Sequence, residues 1–190
     1  MTPEDMLRRL SALQVLRTGH FQLTSGKHSD KFLLCSQLTI YPQETARFME
    51  ELAQKIRAAE LNPTVIIGPA LGGIIPAYEL ARILGKKAMF AEKEDHGMAL
   101  KRGFSLSLVD RVLLVEDVIS TGGSLQKVAD LVMQSDAELV GVATLFDRTM
   151  GRVSVAGMPV ISLLQLDIQS WEPYECPLCR QGIPLVLPKQ

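Results

Sequence analysis

Residues 111–124, Arg-Val-Leu-Leu-Val-Glu-Asp-Val-Ile-Ser-Thr-Gly-Gly-Ser, restrict the possible folds more than any other stretch of the chain. Val112 to Val115 are four consecutive apolar residues, the pattern of a strand buried on both faces of a parallel sheet. Glu116 and Asp117 stand where that strand is expected to end. A small turn follows, Ser120-Thr121-Gly122-Gly123-Ser124, and then a helical segment from about Leu125 to Met133. A buried strand, a glycine turn and a helix N-terminus make a phosphate site. Backbone N–H groups and the positive end of the helix dipole face the anion, and Thr121 and Ser124 add hydroxyl donors. Carboxylates repel phosphate, so Glu116 and Asp117 suit sugar hydroxyls or a hard cation instead. The combination predicts a phosphorylated sugar as ligand. A plainer alternative has the acids solvated, with Asp117 capping the turn. That alternative accounts for one acid but not for both acids followed by Ser-Thr-Gly-Gly-Ser.

The flanking sequence alternates strand and helix patterns. Thr2 can cap a first helix, with Pro3 at its first position, Met6, Leu7, Leu10, Leu13 and Leu16 on one face, and Gly19 ending it. Residues 21–34 read as two short strands joined by a Ser-Gly turn, either a ligand cover or an ordinary surface hairpin. Pro42 starts a second helix, with Met49, Leu52, Ala53 and Ile56 on one face, and Asn62-Pro63 breaks it. Strands are then expected at 64–68, 87–91, 112–116, 139–146 and about 160–166, with helices at 74–84 and 123–134. This order predicts an α/β fold with a doubly wound, mainly parallel sheet. At 190 residues the chain fits one domain, 1–190, with the α/β core at 41–166 and with 1–40 and 167–190 outside it.

Ligands bind such sheets beyond the carboxyl ends of the strands. Besides residues 116–124, three features fall there. Pro69-Ala70-Leu71-Gly72-Gly73 is a small-residue turn where backbone can approach an anion. Residues 92–110 lack periodicity and interleave Lys93, His96, Lys101 and Arg102 with Glu92, Glu94 and Asp95. They read either as a lid or as a solvated charged loop. Asp147-Arg148 ends a strand, where Arg148 can hold a carboxylate in a two-pronged fork or pair with its neighbour.

Several function classes are excluded. The formal net charge of -1 offers no basic field for nucleic acid. No apolar run reaches the length of a membrane span and the N-terminus is acidic, so a cytoplasmic location is expected. The Gly-x-x-x-x-Gly-Lys-Ser/Thr and dinucleotide glycine fingerprints are absent. Of three cysteines, Cys176 and Cys179 have the spacing of half a zinc site, with no second such pair in the chain. Two reduced thiols, zinc shared across a dimer and a redox pair remain open for them.

Residues 112–124 resemble the phosphoribosyl pyrophosphate signature of the type I phosphoribosyltransferases. Among these the chain looks most like the orotate phosphoribosyltransferases over most of its length. Leu23-Thr24-Ser25-Gly26-Lys27-His28-Ser29 is similar to their hood hairpin, Gly68 to Gly73 to their pyrophosphate loop, Asp95-His96-Gly97 to part of their mobile loop, and Asp147-Arg148 to their orotate anchor. The resemblance implies a small hood built from the N-terminal hairpin and the C-terminal segment.

It also implies transfer of the 5-phosphoribosyl group from phosphoribosyl pyrophosphate to orotate, with Mg2+ on the pyrophosphate and ribose oxygens. Lys93, His96 and Asp117 are the implied catalytic residues. Phosphoribosyl pyrophosphate would meet Leu71, Gly72, Gly73, Lys93, His96, Lys101, Arg102, Glu116, Asp117, Val118, Ile119, Ser120, Thr121, Gly122, Gly123 and Ser124. Orotate would meet Lys27, Phe32, Ser120 and Arg148. No direct protein ligand to the metal is implied, beyond Glu116 and Asp117 through water. Relatives can have a non-proline cis peptide at the pyrophosphate loop, which here would fall at Ala70–Leu71, and a homodimer is implied whose lid crosses into the neighbouring site. The chain departs from many relatives at Thr24, in the sparse cations before Asp95-His96-Gly97, and at Phe32-Leu33. These departures leave room for a purine or other acceptor, or for a non-catalytic sensor of phosphoribosyl pyrophosphate.

Overall fold

A computed structural model describes residues 1–23, 25–95 and 97–188. In chain order the elements are α1 (Pro3–Ala12), β1 (Leu16–Gln22), β2 (His28–Leu33), α2 (Ser36–Thr39), α3 (Pro42–Ala58), β3 (Val65–Pro69), α4 (Ile74–Leu84) and β4 (Lys87–Glu94). They continue with β5 (Gly97–Leu100), β6 (Arg111–Ile119), α5 (Gly123–Met133), β7 (Glu138–Asp147), β8 (Ser154–Val155), β9 (Met158–Gln165), β10 (Ser170–Trp171) and α6 (Pro177–Arg180). The chain divides into two compact units, residues 1–40 with 167–190 and residues 41–166. Among the described residues no helix is long and apolar enough to cross a membrane.

The larger unit is a seven-stranded sheet in the order β5-β4-β3-β6-β7-β9-β8. The five inner strands run parallel, and β5 and β8 add antiparallel edges. β3 is buried along its whole length and β6 from Val112 to Val115, as their unbroken apolar runs require. Val65, Ile67, Val112 and Leu114 pack with Leu125, Val128, Ala129 and Val132 of α5. Successive strand residues point to opposite faces, so Ile66 and Leu113 turn to the face covered by α3 and α4. Truncating one such fully buried leucine to alanine costs about 2–5 kcal/mol. The chain leaves β3 for β4 on one side and later returns to β6 on the other. The carboxyl ends of β3 and β6 therefore flank a topological switch point, the place where doubly wound sheets bind their ligands.

Three expected boundaries change. The first helix stops at Ala12, not Gly19, because Gln14 takes a positive φ of 58° and Val15 N–H closes back on Leu10 O at 2.9 Å. Leu16 then pairs with Leu33, and Gly19 lies inside β1 at an irregularity in the ladder. Residues 92–110 are not irregular throughout. β4 runs on to Glu94 and β5 pairs back from Glu94↔Gly97 to Ala91↔Leu100. Met98 and Leu100 anchor that hairpin in the core beneath α5, a sparse alternation hidden by the charges around it. Strand β6 also outlasts its apolar run, so Glu116 and Asp117 lie within the strand rather than at its end.

In the smaller unit Thr2 Oγ1 accepts the Asp5 N–H at 3.1 Å and caps α1. The expected hairpin is β1 with β2, and β10 adds to the free side of β2 through Ser170↔Ser29 and Trp171↔His28.

Candidate active site at the switch point

The turn after β3 is shaped by glycine. A Cβ on Gly68 would lie 2.1 Å from Gly73 O, and one on Gly73 would lie 2.6 Å from Pro69 Cδ. Only glycines let the chain fold back this tightly. The Ala70–Leu71 peptide is cis, as it can be at this loop in relatives. Ala70 N–H donates to Ala91 O at 2.8 Å, and Gly73 N–H to Pro69 O at 2.8 Å. Leu71 is consequently thrust outward, 85% exposed, and Gly72 is exposed beside it.

Facing this turn is the acid pair of β6. Asp117 Oδ1 accepts its neighbour's N–H, from Val118, at 2.7 Å, and the same oxygen would stand 2.8 Å from a Cβ on Gly72. The turn after β3 thus meets β6 at Gly72 and Asp117. Burial pushes the Glu116 carboxyl up to about 7; the Asp117 charge adds to this and a hydrogen bond with Ser124 opposes it. Thr144 Oγ1 donates to Glu116 O at 3.1 Å and fixes the strand there, a residue with no signal in the sequence.

Ser120 and Thr121 are exposed, and Gly122 takes a φ of 78° before α5. That conformation and the Val153 methyl 2.8 Å from a would-be Cβ both demand glycine. Thr121 Oγ1 accepts the Gly123 N–H at 3.4 Å. The remaining first-turn amides of α5 have no acceptor within the helix and point to the turn. Val118 is half-buried, and Ile119 packs into the core beneath the turn. Arg148 N–H donates to Ile119 O at 3.0 Å, which sets the arginine directly beside the same turn. Asp147 is buried and accepts the N–H groups of Thr149 at 2.6 Å and Gly151 at 2.8 Å. It shapes the turn that carries Arg148.

The β4–β5 hairpin bears the other cations. Lys93 is exposed and lines a cavity of about 480 Å³ with Glu94, Asp95, Gly97, Met98 and Lys101. Lys101 pairs with Glu94 at 3.1 Å, and Arg102 forks onto Glu92 at 2.8 and 3.3 Å while lying 6.0 Å from the Phe90 ring centroid. His96 lies outside the described residues, as does Thr24. In the smaller unit Lys27 pairs with Glu172 at 3.1 Å, and half-buried Phe32 packs on Phe21 with ring centroids 5.7 Å apart.

A family model described as the phosphoribosyl transferase domain matches residues 36–173. An orotate phosphoribosyltransferase of Caldanaerobacter subterraneus is 47% identical over 188 residues, 99% of this chain and 97% of that protein. The chain belongs to the orotate phosphoribosyltransferase family. Another member, from Carboxydothermus hydrogenoformans, is 45% identical over 97% of this chain and 96% of its own. The family's fold is shared with the solved orotate phosphoribosyltransferase of Aeropyrum pernix, which has a TM-score of 0.72 at 22% identity over 85% of this chain and 93% of that one. The adenine phosphoribosyltransferase of Thermoanaerobacter pseudethanolicus gives a TM-score of 0.60 at 20% identity over 72% and 88%. The fold alone therefore does not select the base.

Proposed function

We propose that the protein transfers the 5-phosphoribosyl group from phosphoribosyl pyrophosphate to a ring nitrogen of orotate, giving orotidine 5′-phosphate and pyrophosphate. The observation that carries this is the near-full-length identity to orotate phosphoribosyltransferases; the acid pair set between two glycine turns at the switch point suits the donor. The C1′–O bond to pyrophosphate breaks and a C1′–N bond forms, through an oxocarbenium-like transition state. Catalysis rests on holding the departing charge and aligning the base.

Glu116 and Asp117 hold the ribose hydroxyls. Residues 120–124 and the first-turn amides of α5 cradle the 5′-phosphate, and the backbone of Leu71 to Gly73 faces pyrophosphate. Arg148 takes the orotate carboxylate, with Ser120 touching the base and Lys27 and Phe32 serving from the hood. Lys93 and His96 act on the leaving pyrophosphate. Lys101 and Arg102 join them on exchanging their acidic partners for the more highly charged anion. The lid works in the neighbouring subunit's site of a homodimer, in the cytoplasm, and both units serve one phosphoribosyltransferase domain. The acid pair fits Mg2+: two adjacent carboxylates, one with its ionisation opposed by burial and by the other, gain from a divalent cation. Through water on Glu116 and Asp117, Mg2+ would neutralise part of the charge on the ribose and pyrophosphate oxygens.

A spectrophotometric assay of purified protein with orotate, adenine, hypoxanthine and uracil tests the reading. Turnover of orotate alone is expected. Turnover of a purine alone would reassign the acceptor, and tight donor binding with no turnover would leave a sensor.

A further inference from the structure

His20, His28, Cys176 and Cys179 form one cluster in the smaller unit, and nothing in the phosphoribosyl chemistry uses it. One ligand atom from each lies within 4.8 Å of every other. His20, His28 and Cys176 are buried, while Cys179 closes the cluster from its rim. His20 Nδ1 lies 2.7 Å from Ile183 O, and a carbonyl can only accept, so the ring proton sits on Nδ1. That leaves the Nε2 lone pair facing inward. Nε2 is 2.9 Å from His28 Nδ1, 3.4 Å from Cys176 Sγ and 3.7 Å from Cys179 Sγ. Cys179 Sγ is also 3.2 Å from His28 Nδ1.

These spacings are close to the edges of a metal tetrahedron. Zn–N and Zn–S bonds of about 2.0 and 2.3 Å give edges of about 3.3 Å between nitrogens and about 3.5 Å between nitrogen and sulfur. The backbone around the cluster supports the same geometry. Cys176 and Cys179 flank the first turn of α6, whose two-residue spacing points both thiols one way. The Ile183 carbonyl gives His20 the outer hydrogen bond that ligating histidines use to fix their tautomer. The pair of cysteines is half a zinc set by spacing alone, and the two histidines complete it within one chain.

We infer that His20 Nε2, His28 Nδ1, Cys176 Sγ and Cys179 Sγ bind one zinc ion that fastens the C-terminal segment to the β1–β2 hairpin. Two thiolates and two imidazoles in a tetrahedron suit zinc over harder cations. All four positions are filled by protein, so the site is structural and has no place for a reacting water. The need for it is physical. The unit has roughly sixty residues, a size at which apolar burial alone is marginal. Its C-terminal stretch 181–187 is exposed, and it is tied to β1 by the hydrogen bonds Gln22 N–H to Val186 O at 3.0 Å and Val186 N–H to His20 O at 2.8 Å.

Elemental analysis of full-length protein purified without chelators should give about one zinc per chain. The Cys179→Ser variant, altered at the exposed ligand, should lose most of that zinc and melt about 5 °C or more below wild type. Cobalt-substituted wild type should show the intense visible ligand-field bands of a tetrahedral thiolate site, absent from Cys179→Ser. His28→Cys, which keeps a zinc-binding ligand set, should retain the metal. A wild-type protein without zinc that also takes up no cobalt under reducing conditions would overturn the inference. So would a Cys176–Cys179 disulfide in freshly purified protein, or a Cys179→Ser variant with full zinc content and an unchanged cobalt spectrum.

Discussion

Gly72, in the turn after β3, and Asp117, within β6, stand forty-five positions apart in the chain yet meet so closely that a Cβ on Gly72 would stand 2.8 Å from Asp117 Oδ1. The contact sets the turn after β3 against the acid pair of β6. Adding one methyl group at Gly72 should displace the carboxylate and weaken phosphoribosyl pyrophosphate binding by about tenfold or more, since small misplacements at a reacting centre are costly. Asp117→Asn should weaken it as well, without the steric change. Calorimetry on both variants decides the matter, and wild-type affinity in both would take Asp117 out of the ribose site.

Glu116 makes the ligand-free protein sensitive to pH. Its folded-state carboxyl is raised, to about 7 from 4.5. Between these values the folded state holds a proton that the unfolded chain has released, so stability should fall as pH rises from about 4.5 to 7 and then level off. Glu116→Gln removes this cost and should be more stable than wild type at pH 8 by on the order of 2 kcal/mol. Thermal melts of both proteins across this range should diverge with pH. Parallel curves would show that the Glu116 site is better solvated than its burial implies.

Arg148→Ala should raise the orotate KM about 10- to 100-fold, the worth of one charge-assisted pair, and leave the KM for phosphoribosyl pyrophosphate nearly unchanged. Steady-state kinetics with each substrate varied in turn provide the comparison. Equal effects on the two constants would assign the arginine to the donor or to the fold.

Lys93→Ala should slow a single turnover about 10- to 100-fold while donor binding is nearly kept, if the lysine acts on the leaving group. Lys101 and Arg102 already have acidic partners in Glu94 and Glu92, so their alanine variants should have smaller effects. An unchanged rate in Lys93→Ala, with a slowed one in Arg102→Ala, would transfer the role.

Asp110 belongs to the scaffold. The Lys87 ammonium at 2.8 Å, with Ser107 behind it, holds the buried carboxylate down at about 2. Its contribution is present above the unfolded value near 3.8 and is lost as pH falls towards 2. Lys87→Met should cost about 1–2 kcal/mol at pH 7, after allowance for the exposed ammonium, and less at pH 3. Denaturant unfolding at both pH values measures it, and a pH-independent loss would point to packing by the lysine stem instead.

The legible parts were local. The glycine turn at residues 120–124 could be read because strand, acids, glycines and helix start lie within about a dozen residues, and each is a short-range backbone demand. The helices with a one-sided apolar face, such as α3 from Pro42, were legible for the same reason. The β4–β5 hairpin was not, since among its described residues Met98 is buried and Leu100 half-buried beneath α5 while charged neighbours mask their alternation. Nor was the end of α1, where pairing of Leu16 with Leu33 overrode a helical spacing of leucines.

The sequence by itself determined the α/β character of the fold, the strand–acid–glycine–helix order of residues 111–124 and the paired spacing of Cys176 and Cys179. Only the tertiary structure decided that Gly72 abuts Asp117, that Ile119 O holds the backbone of Arg148, and that His20 and His28 complete the cysteine cluster. The histidines lie 148 to 159 positions from the two cysteines, and His20 lies 163 from the carbonyl that supports it. Contacts across such separations arise when strands and turns close on one another, and no local periodicity in the chain records which residues will then face each other.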